Sequence, residues 1–167
     1  MSHLQEVHPA RPFALGDADG EQIWFGDSAF VFKATAESTG GELFLMEATM
    51  PSGFSPPLHV HHDEHEAFYV LEGKLEVVCG SECYEAGPGA FAFLPSGIAH
   101  TFRTTGEGVT RVLTFALPAG IEHFFREAGR PAEGPGLPPP AALDIELIES
   151  VAIRHRIQLV GPPLGPS

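Results

Sequence analysis

The stretch of sequence that decides the fold covers residues 53–73 and reads GFSPPLHVHHDEHEAFYVLEG. It contains two histidines, His59 and His61, separated by one residue. On a β-strand this spacing directs both imidazoles to one face, where they can share an ion, and directs His62 to the opposite face. Such a pair alone is weak evidence for a metal, because histidine pairs also occur on solvated strands.

A carboxylate and a third imidazole follow at positions where they can join this pair. Glu66 stands at the head of an alternating run after a short turn at Asp63 and Glu64, so its strand can return antiparallel to the first. His100 opens a later run, directly after the turn at 95–97. Three imidazoles and a carboxylate suit one divalent transition metal, namely Fe, Mn, Co, Ni, Cu or Zn. The metal ligands predicted from this spacing are His59, His61, Glu66 and His100.

The remaining polar residues of this segment have a plainer interpretation. We expect them to form a solvated loop, with support of the metal ligands as the alternative. These residues are His62, Asp63, Glu64 and His65.

The chain around this segment has the pattern of an all-β protein. Between residues 21 and 118, nine short apolar or alternating runs are separated by turn residues, and the 167 residues include 19 glycines and 16 prolines. Regularly spaced short strands predict a sandwich or barrel. The runs cover 22–25, 30–34, 41–50, 67–71, 74–79, 83–85, 90–94, 100–103 and 109–116.

Three regions follow from this pattern: an N-terminal arm over 1–20, a β-barrel over 21–118 and a C-terminal helical extension over 119–167. The extension has a short helix at 121–128, a Pro/Gly-rich linker at 131–140 and an apolar helical stripe within 141–155. That stripe must cover an apolar surface, either on its own barrel or on a partner subunit.

At this point the sequence resembles the cupin family. Residues 53–73 resemble the first cupin motif: a glycine, five residues, HxH, a gap, Glu, six residues and a glycine. Residues 89–100, GAFAFLPSGIAH, resemble the second motif from its glycine through its histidine. The second motif closes with an Asn, which is not a metal ligand in the family, and Thr104 occupies that position here. The 15 residues between Gly73 and Gly89 are typical of small microbial cupins. Residues 39–41, TGG, and 118–125, PAGIEHFF, resemble single-domain cupins of the quercetin-dioxygenase-like kind.

The resemblance implies a cupin-type double-stranded β-helix, a jelly-roll barrel, with short C-terminal helices. It also implies an open metal site, with Glu66 as both ligand and catalytic general base, in a dioxygenase acting on a small aromatic or enolic substrate. The alternatives are a metal-assisted isomerase, lyase or decarboxylase, and a non-catalytic small-molecule-binding barrel.

Strand parity predicts which apolar residues surround the metal, although each could equally be ordinary barrel core. The expected pocket residues are Phe44, Met46, Met50, Phe68 and Phe102, together with Phe91 or Phe93.

Charge and composition exclude other partners. With a net charge of -13 and no basic cluster, the chain lacks the basic patch that binding to nucleic acid requires. No apolar run is long enough to span a membrane. The N-terminus has no signal-peptide pattern, so we expect a cytoplasmic protein that acts on small molecules. The resemblance to small cupins, which commonly pair through their sheets, implies a homodimer. In that compartment Cys79 and Cys83 should be free thiols, with a hairpin disulfide as the alternative.

Overall fold

The computed structural model describes residues 10–166, so residues 1–9 of the expected arm lie outside the described residues. The described chain forms two antiparallel β-sheets with three short helices. The strands are β1 (Glu21–Phe25), β2 (Ser28–Ala34), β3 (Phe44–Met50), β4 (Leu58–His61), β5 (His65–Glu72), β6 (Lys74–Cys79), β7 (Glu82–Ala86), β8 (Phe91–Leu94), β9 (His100–Thr105), β10 (Thr110–Leu117), β11 (Arg130–Pro131) and β12 (Ile157–Gly161). The helices are α1 (Ala36–Thr39), α2 (Ile121–Ala128) and α3 (Ile145–Arg154).

The two sheets form a jelly-roll sandwich, as the sequence predicts. One sheet has the strand order β11-β1-β2-β3-β10-β5-β8, and the other has the order β12-β4-β9-β6-β7. The main apolar core gathers buried side chains from both sheets and from α2 and α3.

Strand alternation explains which side chains reach that core. In β3, Phe44, Met46, Ala48 and Met50 are buried while the residues between them are partly exposed, as their period of two predicts. Burying each large apolar side chain stabilises the fold by about 1.5–3 kcal/mol, so one face of β3 is a substantial part of the core.

Gly73 joins β5 to β6 at a position where a side chain does not fit. Its φ is 77°, in the left-handed region that favours glycine. A Cβ built there would lie 2.4 Å from the Thr110 Oγ1 and 2.8 Å from the Thr110 Cα. The glycine therefore lets β10 pass close to the connection that crosses from β5 in one sheet to β6 in the other.

The C-terminal extension covers its own barrel, which settles the alternative that the sequence left open. Helix α2 has the predicted bounds, and α3 buries Ile148, Val151 and Ala152. Asp144 caps α3 by accepting a hydrogen bond from the Leu147 backbone N–H at 3.0 Å. The extension is not purely helical, however, because β11 pairs with β1 and β12 pairs with β4.

Two further findings concern the cysteines and the helices. Cys79 is buried, whereas Cys83 is exposed and lies opposite Val78 in the β6–β7 register, so the two thiols are free and lie on opposite faces of the hairpin. The alternative of a disulfide across this hairpin is therefore wrong. Every helix within residues 10–166 is too short or too polar to cross a bilayer.

Candidate metal centre

Three strands bring the four predicted ligands together. His59 and His61 lie on β4, and His100 opens the neighbouring strand β9 directly opposite His59. Glu66 lies on β5, which belongs to the other sheet, so the carboxylate reaches the imidazoles across the sandwich. The expectation that β5 returns antiparallel beside β4 is wrong, because the turn at 62–64 crosses between the sheets and β4 pairs with β9 and β12 instead.

The four side chains converge closely enough to share one ion. Their potential ligand atoms all lie within 4.8 Å of one another. The Glu66 Oε2 lies 2.9 Å from the His100 Nε2 and 3.5 Å from the His61 Nε2. The ring centroids of His59 and His100 are 4.5 Å apart, and those of His59 and His61 are 4.9 Å apart.

Backbone carbonyls orient two of the imidazoles. The His59 Nδ1 donates to the Pro57 carbonyl at 2.7 Å, and the His100 Nδ1 donates to the Ile98 carbonyl at 3.1 Å. These bonds fix the tautomer in which each Nε2 lone pair is free to bind a cation, which is the usual arrangement around histidine-bound metals.

Glu64 supplies the corresponding contact for the third imidazole. Its Oε2 lies 3.5 Å from the His61 Nδ1, and both side chains are buried. The expectation that Glu64 belongs to a solvated loop is wrong, and the alternative of a supporting residue fits its position. Its neighbours are at the surface, where Asp63 accepts from Arg156 and His65 accepts from the Ser96 backbone N–H. No periodicity distinguishes Glu64 from these neighbours, because residues 62–64 lie in a turn.

Burial and mutual charge perturb the cluster strongly. Burial, together with neighbouring His61 and His100, lowers the pKa of His59 to about 3. Burial alone would also lower the pKa of His61, but its contacts with Glu64 and Glu66 outweigh it and raise the pKa to about 9. Burial would raise the pKa of Glu66, yet its contacts with His100 and His61 hold it far below its ordinary value.

A divalent cation fits this cluster. The donor atoms converge, one carboxylate already carries a negative charge, and two Nδ1 atoms are committed to backbone carbonyls. Three imidazoles with one carboxylate are borderline donors that suit first-row transition metals. The same cluster opens onto a cavity of about 680 Å³, its mouth included, which lies between the sheets. The residues that line it are Phe25, Phe30, Met46, Ala48, Met50, Phe54, Pro56, Pro57, His59, His61, Glu66, Phe68, Phe102, Thr114, Ile121, Phe124, Phe125, Ile148, Ile157 and Leu159.

Comparisons with known proteins agree with this geometry. Residues 46–116 match the cupin domain model. Over 134 residues, the chain is 31% identical to quercetin 2,3-dioxygenase of Bacillus subtilis (strain 168). This chain contains a cupin domain. The alignment covers 80% of this cupin but 40% of the dioxygenase, so the cupin spans about two fifths of the length of that relative.

Solved structures support the same fold. The structure of KdgF from Halomonas sp. is 19% identical, has a TM-score of 0.58, and matches over 67% of this cupin and 99% of that chain. A predicted oxalate decarboxylase from Thermotoga maritima is 18% identical, has a TM-score of 0.58, and matches over 64% of this cupin and 99% of that chain. At these identities the two structures bear on the fold alone.

The pocket residues predicted from the sequence of this cupin fall into two groups. Met46, Met50, Phe68 and Phe102 line the cavity, whereas Phe44 does not and packs in the core against the Phe32 ring, with centroids 5.1 Å apart.

The expectation that Phe91 or Phe93 faces the pocket is wrong, since both are more than half exposed. The register of β8 explains their direction. Leu94 lies opposite Glu66 and Ala92 opposite Phe68, so the inward positions of β8 belong to Ala92 and Leu94.

Other pocket residues lie far along the chain from the cupin motifs. Phe25 and Phe30 come from β1 and β2, and six more lining residues come from the C-terminal extension: Ile121, Phe124, Phe125, Ile148, Ile157 and Leu159. Strand β12 pairs with β4, so Ile157 lies opposite His61 and Leu159 lies opposite His59. The alternation of IQLVG at 157–161 was the available signal for this strand.

Thr104 performs a structural task at the position of the motif's closing Asn. Its Oγ1 donates to the Pro51 carbonyl at 2.6 Å and accepts from the Phe54 backbone N–H at 2.9 Å. These two bonds pin the segment that leads into β4, so the departure from the cupin pattern leaves the ligand strand anchored.

Proposed function

We propose that this cupin is a metal-dependent dioxygenase that acts on a small aromatic or enolic substrate. The observation that carries the proposal is the direct opening of a three-histidine, one-carboxylate cluster onto an almost entirely apolar cavity. The similarity to quercetin 2,3-dioxygenase points to the same substrate class. The ion would be Fe, Mn, Ni, Co, Cu or Zn, held by His59, His61, Glu66 and His100.

The wall of the cavity favours this substrate class over small anions and sugars. Among residues 10–166, no Lys or Arg lines the cavity, so a carboxylate or phosphate group would lose its water without gaining a cationic partner beyond the metal. A sugar would likewise leave most of its hydroxyls without hydrogen-bond partners. A flat aromatic molecule with a pair of oxygens loses little on entering such a site.

Each part of the site has a role in the proposed reaction. A bound ion would supply Lewis-acid activation of the enol, and a redox-active one would also supply redox chemistry with dioxygen. The Glu66 carboxylate lines the cavity and would take the proton of the substrate hydroxyl. Phe68 and Phe102, whose ring centroids are 5.2 Å apart in an edge-to-face pair, would hold the aromatic ring. Both atoms of dioxygen enter the product, so no further reductant is needed.

Oxygen uptake tests this proposal. The protein is stripped of metal, reloaded with each candidate ion and offered quercetin, 3-hydroxyflavone and catechol. We expect oxygen consumption with at least one ion, loss of turnover under argon, and loss of turnover in Glu66→Gln with most of the metal retained. Turnover that continues under argon would favour a metal-assisted isomerase, lyase or decarboxylase. Tight binding without turnover would favour a binding protein, and activity in Glu66→Gln would contradict the base role.

A homodimer and a cytoplasmic location remain proposals. Tyr69 on β5 and Phe91 and Phe93 on the edge strand β8 place exposed aromatic rings on the outer face of the seven-stranded sheet, which supports self-association through this face. Light scattering should give about twice 17.8 kDa for the wild type and a monomer for a Phe91→Lys, Phe93→Lys double variant. A wild-type monomer in dilute solution would contradict the dimer.

A further inference from the structure

Thr114 differs from its neighbours in the wall of the cavity because its side chain is polar. Apart from the candidate metal ligands, it has the only polar side chain among the described residues that line the cavity. It is 3% exposed, and within residues 10–166 its hydroxyl makes no hydrogen bond to the protein. The inward positions on either side of it along β10 are Val112 and Ala116, which are apolar and buried.

The sheet register places this hydroxyl a short distance from the candidate metal centre. Thr114 lies between Met46 of β3 and Phe68 of β5, two residues that also line the cavity. Ala116, the next inward residue of β10, lies opposite Glu66. Thr114 and Glu66 are therefore diagonal neighbours on one sheet face, a relation that separates residues by roughly 7–8 Å. This spacing is close to the width of a fused aromatic ring pair.

The described residues offer the Thr114 hydroxyl no hydrogen-bond partner, so its partner must be a molecule in the cavity that it lines. Valine would fill the same β-branched shape at this position without a polar atom to satisfy. Packing alone therefore does not require a threonine here, whereas a bound molecule that offers an oxygen at this depth would use its hydroxyl.

We propose that Thr114 is a specificity-determining residue that hydrogen-bonds a hydroxyl or carbonyl oxygen of the ligand, about the width of a fused ring pair from the oxygens that face the candidate metal. This inference rests on the proposed function, because it assumes an aromatic ligand anchored at the cluster. It narrows the substrate class to bicyclic aromatic enols with an additional oxygen on the ring system, away from the chelating pair.

The test compares related probes on protein loaded with Zn(II), which has no redox chemistry and so permits binding without turnover. The probes are 3-hydroxyflavone and its derivatives with one added hydroxyl at position 7, 3′ or 4′, each away from the chelating 3-hydroxyl and 4-carbonyl. Dissociation constants are measured for the wild type, Thr114→Val and Thr114→Ser. Thr49→Val, on the outer face of β3, is the matched control.

We expect at least one derivative to bind the wild type roughly 3- to 10-fold more tightly than 3-hydroxyflavone, which is the effect of one neutral hydrogen bond. In Thr114→Val that ratio should fall to about one, while Thr114→Ser and Thr49→Val keep it. An unchanged ratio in Thr114→Val, or no preference for any derivative in the wild type, overturns the role of Thr114 alone. Failure of the wild type to bind 3-hydroxyflavone itself overturns the inference together with the proposed substrate class.

Thermal unfolding of the ligand-free protein gives a second readout that does not depend on a ligand. If the hydroxyl has no protein partner, Thr114→Val should unfold at the same temperature as the wild type or a higher one. A melting temperature several degrees below that of Thr114→Ser would show that the protein itself uses the hydroxyl, and would overturn the inference.

Discussion

Glu64 should strengthen metal binding although it is not one of the four predicted ligands. Its Oε2 lies 3.5 Å from the His61 Nδ1, and both groups are buried, so the carboxylate orients the imidazole and increases its basicity toward a cation. Glu64→Ala leaves the His61 N–H without an acceptor in a buried site. Loss of such a supporting carboxylate typically weakens metal binding about 10- to 100-fold, or roughly 1.4–2.8 kcal/mol.

The assay is competition for Zn(II) against a chromophoric chelator at pH 7, with circular dichroism to verify folding. Glu64→Gln should fall between the wild type and Glu64→Ala, because its amide oxygen can accept the hydrogen bond but carries no charge. Glu127→Ala is the matched control, since Glu127 also pairs with an imidazole, that of His155 at 2.9 Å, but at the surface. Zinc affinity of Glu64→Ala within twofold of the wild type would refute the reasoning.

Three further predictions concern proton release, Gly73 and the C-terminal extension. Because the pKa of His61 is raised to about 9, we expect this imidazole to be protonated at pH 7, so metal binding should release about one proton per ion and tighten as the pH rises toward 9. Calorimetry in two buffers of different ionisation enthalpy measures the number of protons released, and binding without proton release would contradict this prediction. Gly73→Ala should lower the free energy of unfolding by about 2 kcal/mol or more, since its Cβ would lie 2.4 Å from the Thr110 Oγ1 at a φ of 77°. Denaturant unfolding measures this loss. The control is Gly134→Ala, which should change the stability little because a Cβ at that position meets nothing within 4 Å. Deletion of residues 141–167 should expose the core and the cavity, because Ile148, Ile157 and Leu159 form part of the cavity wall. A dye that fluoresces in apolar surroundings should then bind. A deletion variant that is as stable as the full chain and binds no dye would contradict the role of these residues in the cavity wall.

The sequence predicts the candidate site better than it predicts the pocket around it. The four ligands follow from the alternation of β4 and from two motifs of fixed spacing, both of which are local patterns. Met46 and Met50 follow from the uninterrupted period of two in β3. These positions can be predicted because the alternation of side chains along one strand does not depend on which strand lies beside it.

The failures have a common physical cause. The direction of Phe91 and Phe93 depends on the register between β8 and β5, and a shift of one residue reverses every side chain. The contributions of Ile157 and Leu159 depend on β12 pairing with β4, about 100 residues earlier in the chain. Long-range pairing of this kind leaves little trace in the local sequence, so the sequence alone predicts which candidate ligands converge but not which residues form the far wall of the cavity.

X-ray absorption spectroscopy of the metal-loaded protein tests the central claim most directly. The claim is that one ion is held by His59, His61, Glu66 and His100. We predict one ion per chain with a shell of nitrogen and oxygen atoms at about 2.0–2.2 Å, the multiple scattering of three imidazoles, and no sulfur. Sulfur in the shell, which would implicate Cys79 or Cys83, or a spectrum unchanged in a His61→Ala, His100→Ala double variant, would contradict the account.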